Sequence, residues 1–468
     1  MIRISLVTAS LLLTSCVVGP EYQPPTTNIP FHWSADRGAP SSSADIQSFW
    51  PAFEDPILTR LIQQAIENNY DLKIAGERIR AAHATVRSVA AGALPQFGVG
   101  TAVESRRQTQ TLDWPPPAAN YGEYPYYALG FTASWELDLF GETQHRKEAA
   151  LAAADAAVET RRDILISLTA AVASNYLSFR ATELRLQIAQ DNLDIARRTQ
   201  HIAQRAFETG ERSHLDVSES EGKVHGIEAG IPPLRAHSED LVHALAILLG
   251  EAPAQFATSD LQSGATLPVP PPLPPSLPSE VIAQRPDVRR TEREYAQATA
   301  NLGVAIADMY PHFSIPLSIG PTASQVHDLF EHASLLWRAS VDGTQNLYSG
   351  GRLRANVDVA RANEEAALFS YRKAVLNAFA EVEDALSNQR AEALRNRALT
   401  AQLADARRAL LEAQKRYRAG QVALLPVLED QETLYSTQDA QVTSLLTLCL
   451  AEISLFKALG GHWQEVVF

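Results

Sequence analysis

Few residues in this 468-residue chain sit at spacings that could do chemistry. Four histidines, His201, His225, His237 and His243, fall in helical stretches but show neither HExxH nor paired-ligand spacing, so they read as solvated side chains. There is no glycine-rich phosphate loop and no nucleophile elbow. The many carboxylates cannot be told apart from solvated helix faces. Two cysteines exclude a disulfide framework and a Cys-rich metal site. Cys449 shares an apolar stripe with Val442, Leu445, Phe456 and Leu459 and reads as a small core residue. Cys16 has a different context. It follows Arg3, the apolar run Ile4 to Leu13, and Thr14-Ser15. A run of about 10 apolar residues is too short to span a bilayer and typical of a signal-peptide core. Leu13-Thr14-Ser15-Cys16 then reads as a lipobox, cut before the cysteine, whose thiol carries acyl chains. Each buried acyl CH₂ adds roughly 0.8 kcal/mol to membrane attachment. Val17 stands where an Asp would favour the inner membrane, so the outer membrane is expected. The expectation is a non-enzymatic chain without cofactor or metal. With 40 basic against 54 acidic residues, a formal charge of −14 and no Lys/Arg cluster, no nucleic-acid partner is expected.

The elements around these residues come in two copies. Asp71 and Asp287, and Pro95 and Pro311, are each 216 apart. A second block keeps an offset of 210 from Leu137/Leu347 through Gly141/Gly351, Val172/Val382, Gly210/Gly420 and Leu215/Leu425 to Leu249-Gly250/Leu459-Gly460. The sequence therefore divides into a signal peptide at 1–15, a lipidated extended segment at 16–56, a first repeat at 57–253, a Pro-rich connector at 254–278, a second repeat at 279–463 and a tail at 464–468. Each repeat reads as helix, two strands, very long helix, turn and return helix, which makes the fold class α+β. One helix is expected from about Pro56 to Ala93, ended by Pro95. Strands are expected where Phe97, Val99, Thr101 and Val103 alternate with Gln96, Gly98, Gly100 and Glu104. Leu129 to Leu137 alternate likewise, as do two weaker segments at Phe313 to Gly320 and Leu335 to Tyr348.

Between Gly141 and about Glu208 there is no proline or internal glycine. Leu151, Val158, Leu165, Val172, Phe179, Leu186, Leu193 and Phe207 share one heptad position, and Leu168, Ala189, Ala196 and Ala203 lie three residues on, a coiled-coil seam. The second copy runs from Gly351 to about Arg418. Gly210 and Gly420 are C′ glycines, with Asp216 and Pro426 opening the return helices. The Pro232-Pro233 pair should kink the first return helix. Beyond the N-terminus no stretch approaches the roughly 20 apolar residues of a spanning helix. Strands facing lipid must instead belong to a closed barrel. Barrels of fewer than about 8 strands are not seen in membranes. Four strands per chain then require several copies sharing one transmembrane β-barrel, continued by a coiled-coil helical tunnel.

The sequence resembles the outer-membrane factors of tripartite efflux pumps, TolC/NodT-like, lipoprotein branch. The resemblance rests on Cys16-Val-Val-Gly-Pro-Glu-Tyr-Gln-Pro24, on Trp50, Phe53, Asp55-Pro56, Leu58 and Leu61-Ile62, and on Leu137-Asp138-Leu139-Phe140-Gly141. It also rests on Ile231-Pro232-Pro233-Leu234, Arg285-Pro286-Asp287 and Leu459-Gly460-Gly461. It implies a homotrimer with a twelve-strand barrel and a twelve-helix tunnel. The partners would be a periplasmic adaptor, an inner-membrane transporter of the RND or another type, and outer-membrane lipid. It implies a periplasmic gate on the second return helix, with Leu425 at the hydrophobic ring position and Glu429 at the acidic one, a Glu where Asp is usual. Asp430, about 100° around the helix, is the next candidate. The hairpin tips at Gly210, Leu215 and Gly420 would dock the adaptor. A structural coiled-coil rod and a type I protein-secretion duct are the alternative readings.

Overall fold

A computed structural model of the chain describes residues 17–26, 33, 49–107, 123–211, 213–256, 261, 267–268 and 278–461. Cys16, the signal segment, most of the Pro-rich connector and the C-terminal tail lie outside the described residues. The elements are α1 (Pro56–Asn68), α2 (Tyr70–Ala90), β1 (Gln96–Arg107), β2 (Glu123–Leu137), α3 (Glu142–Glu208), α4 (His214–Leu248), α5 (Pro278–Gln284), α6 (Pro286–Ala307), β3 (His312–Ala323), β4 (Leu335–Ala339), β5 (Asp342–Thr344), α7 (Arg352–Arg418) and α8 (Leu425–Ala458). Their bounds carry the internal offsets. Both α2 and β1 start 216 residues before α6 and β3, and both ends of α3 lie 210 before those of α7. Each of these long helices has 67 residues, about 100 Å at 1.5 Å per residue.

The first helix is not one piece. Asn69 breaks it, because its side chain accepts from Asp71 N (2.9 Å) and Leu72 N (3.2 Å) and so caps a new helix, α2. Ala91–Ala93 closes in a 3₁₀ turn before Pro95. The helices end as their glycines require. Gly210 (φ 78°) donates to Phe207 O while Glu211 N reaches Ala206 O, a Schellman closure. Gly420 (φ 72°), with Tyr417 O and Gln421 N to Arg416 O, repeats it. Helix α4 runs on through Pro232 and Pro233, which cannot donate to the carbonyls of Glu228 and Ala229.

The sheet is antiparallel in the order β1-β2-β3-β4, with β5 also on β3. The expected fourth strand is two pieces in one register, because Leu317 pairs with Ala339 and Ser314 with Asp342. Pro316 lies between them. Ser340 N donates to its carbonyl (3.2 Å), but proline has no N–H to return. A second interruption separates the pairs Ala128/Thr322 and Phe131/Ile319, where Leu129-Gly130 faces Gly320-Pro321. A Cβ on Gly320 would stand 2.1 Å from Leu129 O and 2.4 Å from Gly130 Cα. Those are backbone atoms, which cannot retreat without parting the strands. Gly320→Ala should therefore abolish β2–β3 pairing and the heat-modifiable migration on detergent gels that a barrel gives. Wild-type migration of the variant would show that the strands can accommodate a methyl group.

Contacts divide the chain into two compact units, Met1–Thr26 with Arg78–Ala157 and Arg290–Tyr371, and Thr27–Glu77 with Val158–Arg289 and Arg372–Phe468. The first unit holds the sheet. There Val18 N donates to Phe140 O (3.1 Å), His145 Nε2 lies 2.8 Å from Val18 O, and Tyr22 donates to Glu292 (2.7 Å). The segment expected as an extended tail is thus packed against the protein at Val17–Thr26. In the second unit Phe49, Phe53, Leu58 and Leu61 pack with Tyr176, Leu177, Leu245, Leu249, Cys449 and Phe456. Cys449 is fully buried, and burial first, then the Glu452 charge, pushes its thiol up to about 12. The heptad seam is buried from Leu168 to Ala203 but exposed at Leu151 and Phe207. Contrary to expectation, α3 and α8 each contain an 18-residue window apolar enough to cross a membrane. In α3, 61% of that window is buried in the protein, as a coiled-coil core requires.

Candidate functional site

Residues paired across an antiparallel ladder share a face of the sheet. Phe97 pairs with Ala133, Val99 with Phe131 and Val103 with Tyr127. Phe131 then pairs with Ile319, Ala133 with Leu317 and Leu137 with Phe313. Ile319 pairs in turn with Trp337. Odd-numbered residues therefore meet across the paired strands and build a mainly apolar face, from Phe97 through Phe131 and Ile319 to Trp337. Even-numbered residues such as Gln96, Glu104, Thr132, Ser134, Glu136, Ser314, Ser318 and Arg338 build the opposite, polar face. The apolar side is bare: Phe97 is 81% exposed, Phe131 67% and Trp337 68%. Monomeric soluble proteins rarely expose apolar patches of this extent. Strands of 12 and 15 residues exceed the 9–11 needed to cross a bilayer. Among the described residues, the outer edge of β1 and the edge at β4 and β5 are each paired on one side only.

The helical tips are built in parallel. Leu425, Pro426 and Glu429 point outward, while Leu424, Val427, Leu428 and Gln431 are buried. Gln431 donates to Thr199 (2.9 Å), which anchors the turn from beneath. Asp430 is half-buried, on a different face from Glu429. At the first tip Ser213 caps α4 through Leu215 N (3.1 Å), Leu215 is exposed and Val217 buried. The structure thus brings Leu425 and Glu429 together on one exposed face and separates Asp430 from them. The four histidines weighed above are exposed on their helices.

Sequence reasoning missed a polar seam. Arg185 donates to Asp439 (2.6 and 3.2 Å), Asn192 to Gln438 (3.0 Å), and Thr199 accepts from Gln431. The three residues on α3 are spaced by heptads, one position before the apolar set. That spacing was legible, and it fixes the register of α3 against α8, as buried polar pairs do in coiled coils. The Arg285-Pro286-Asp287 motif is a clamp. Arg285 donates to Asp287 (3.0 and 2.6 Å), Glu381 (2.6 Å) and Ala458 O (2.9 Å). Burial alone would raise the Asp287 pKa, but the hydrogen bonds and charge of Arg285 overcome it and hold the carboxyl below its ordinary value.

The sequence matches the outer membrane efflux protein family over residues 61–251 and 277–461. It is 31% identical to pyoverdine export outer membrane protein OpmQ of Pseudomonas putida, across 99% of this chain and 98% of that one. It is 32% identical to nodulation protein T of Rhizobium leguminosarum bv. trifolii, across 98% and 97%. Among solved structures, the outer-membrane channel OprN superposes with a TM-score of 0.89 at 30% identity, covering 96% of this chain and 100% of that one. The open-state MtrE outer-membrane channel of Neisseria gonorrhoeae gives 0.84 at 26%, covering 95% and 98%.

Proposed function

We propose, from the premise that the chain belongs to the outer membrane efflux protein family, that three copies close one barrel and that Glu429 and Leu425 gate the pore beneath it. The chain is an outer-membrane channel of an efflux pump, a duct and not a catalyst. The observation that carries the trimer is the bare apolar face with its two half-paired edges. In hydrocarbon every backbone N–H and C=O must be bonded, so the outer edge of β1 has to meet the β4/β5 edge of another copy. Four ladder positions per chain give too few strands to close alone, and three copies give twelve. The trimer that the family resemblance implies supports three over two or four.

Passage is then passive, from an inner-membrane transporter through a periplasmic adaptor that engages the tips around Gly210, Leu215 and Gly420. Relatives at nearly equal identity are named for pyoverdine export and for toluene efflux. That spread supports cargo being set by the pump and not by the duct. Cys16 would bear the acyl anchor, and the packing of Val17–Thr26 on the sheet unit would hold that anchor beside the bilayer.

Native mass spectrometry of protein extracted from membranes in detergent tests the assembly and the anchor together. The expected mass is three times that of a chain beginning at Cys16 with added acyl chains. A monomer as the only species, or a chain retaining residues 1–15, overturns the corresponding half of the reading.

A further inference from the structure

We propose that Glu136, Glu142 and His312 form a binding site for one divalent transition-metal ion at the foot of the β2–β3 ladder. The three come from different elements: Glu136 from the end of β2, Glu142 from the first residue of α3, and His312 from the first residue of β3. One ligand atom from each lies within 4.8 Å of the other two. His312 Nδ1 stands 3.3 Å from Glu142 Oε2 and 3.5 Å from Glu136 Oε1. These separations are long for charge-assisted N–H···O bonds, which run about 2.7–2.9 Å. They match instead the edges of a coordination tetrahedron, roughly 3.3–3.5 Å when metal–ligand bonds are about 2.0–2.2 Å. Two carboxylates and an imidazole suit zinc and its first-row neighbours. A fourth position is left for water.

The surroundings favour a cation. Glu142 is half-buried, and its other oxygen, Oε1, is held by Arg146. That contact orients the carboxylate and leaves Oε2 facing His312, the role an outer partner plays at metal sites. Glu136 and Glu142 bring two carboxylates to one place, and a divalent ion between them would offset their like charges. The duplication supplies an internal contrast. At the offsets of 210 and 216 the counterparts of Glu136, Glu142 and His312 are Asn346, Arg352 and Gln96, a set that repels cations. The donor set is a property of one junction of the duplicated fold and not of the architecture. Bound metal would staple the end of β2, the start of β3 and the first turn of α3.

The site lies within one chain, so binding is scored per chain whether or not three copies assemble. Untagged full-length mature protein in detergent is titrated with Zn²⁺ by calorimetry, and crystals soaked in Zn²⁺ are measured at the zinc absorption edge. One saturable ion per chain is expected, with an anomalous peak between the three side chains. His312→Asn and Glu142→Gln should each weaken binding at least tenfold, while His327→Asn, at an exposed histidine in the β3–β4 loop, should leave it unchanged. Circular dichroism of each variant shows whether it is folded, and Glu136→Gln replaces any that is not. Absence of a saturable site, unchanged affinity in the variants, or an anomalous peak only at surface histidines overturns the assignment.

Discussion

Glu429→Ala combined with Leu425→Ala should give a pore that conducts several-fold more than wild type in planar bilayers. Both side chains stand on the outward face of the first turns of α8, four residues apart and hence on one side of the helix. Their removal leaves the inward anchors Leu424, Val427, Leu428 and Gln431 in place. Surface substitutions away from packing and caps change stability by about 0.5 kcal/mol or less, so a change in conductance reports the pore and not unfolding. Copies of Glu429 gathered by symmetry would repel one another, and cations held between them would plug the axis. The variant should therefore also lose block by divalent cations. Asp430→Asn is the internal comparison, because Asp430 is half-buried on another face. It should conduct like wild type. A double variant no leakier than wild type, or an Asp430→Asn pore that opens as widely, would sink the assignment of Glu429 to the constriction.

The tips and the sheet were legible for different reasons. A strand that faces hydrocarbon on one side and water on the other must alternate, so Phe97/Gln96 and Phe131/Thr132 announce both the strand and its faces. The duplication did more, because an offset read from a few glycines and prolines also predicts where α7 begins and ends. Local interruptions were less visible. Asn69 looks like any helix residue until its side chain is seen capping Asp71 and Leu72. Pro316 splits the fourth strand only because it faces Ser340, and that pairing is a register fact. Pairs distant in sequence carried no signal, as with His312 beside Glu136 and Glu142. Their spacing in the chain has nothing in common with their spacing across a ladder.

Asp55 is the strongest case of that kind, and its removal should cost the helical unit about 4–6 kcal/mol. Its Oδ1 accepts from Ile57 N (2.9 Å) and Leu58 N (3.2 Å), capping α1. Its Oδ2 accepts from the Tyr176 hydroxyl (2.8 Å) and from Arg180 Nη1 (3.3 Å), and Arg180 Nη1 also donates to the Tyr176 oxygen (2.8 Å). All three side chains are buried. Losing the cap alone costs about 1 kcal/mol. The larger part is the loss of the buried Asp55–Arg180 ion pair, and breaking a buried pair costs about 3–5 kcal/mol. Burial first, and then the hydrogen bond to Asp55, pushes the Tyr176 hydroxyl up to about 12. A raised folded-state pKa stabilises the protonated form, so this contribution is full below about pH 10 and is lost as pH climbs toward 12. Asp55→Ala should lower the midpoint of helix melting in detergent by about 5–10 °C. Adding Arg180→Met should restore most of it, because replacing both buried charges with apolar groups is often neutral. An Asp55→Ala protein that melts with wild type would mean that the network is not carrying the charge of Arg180. A double variant no more stable than the single one would mean that the cap and packing, and not the buried ion pair, account for the loss.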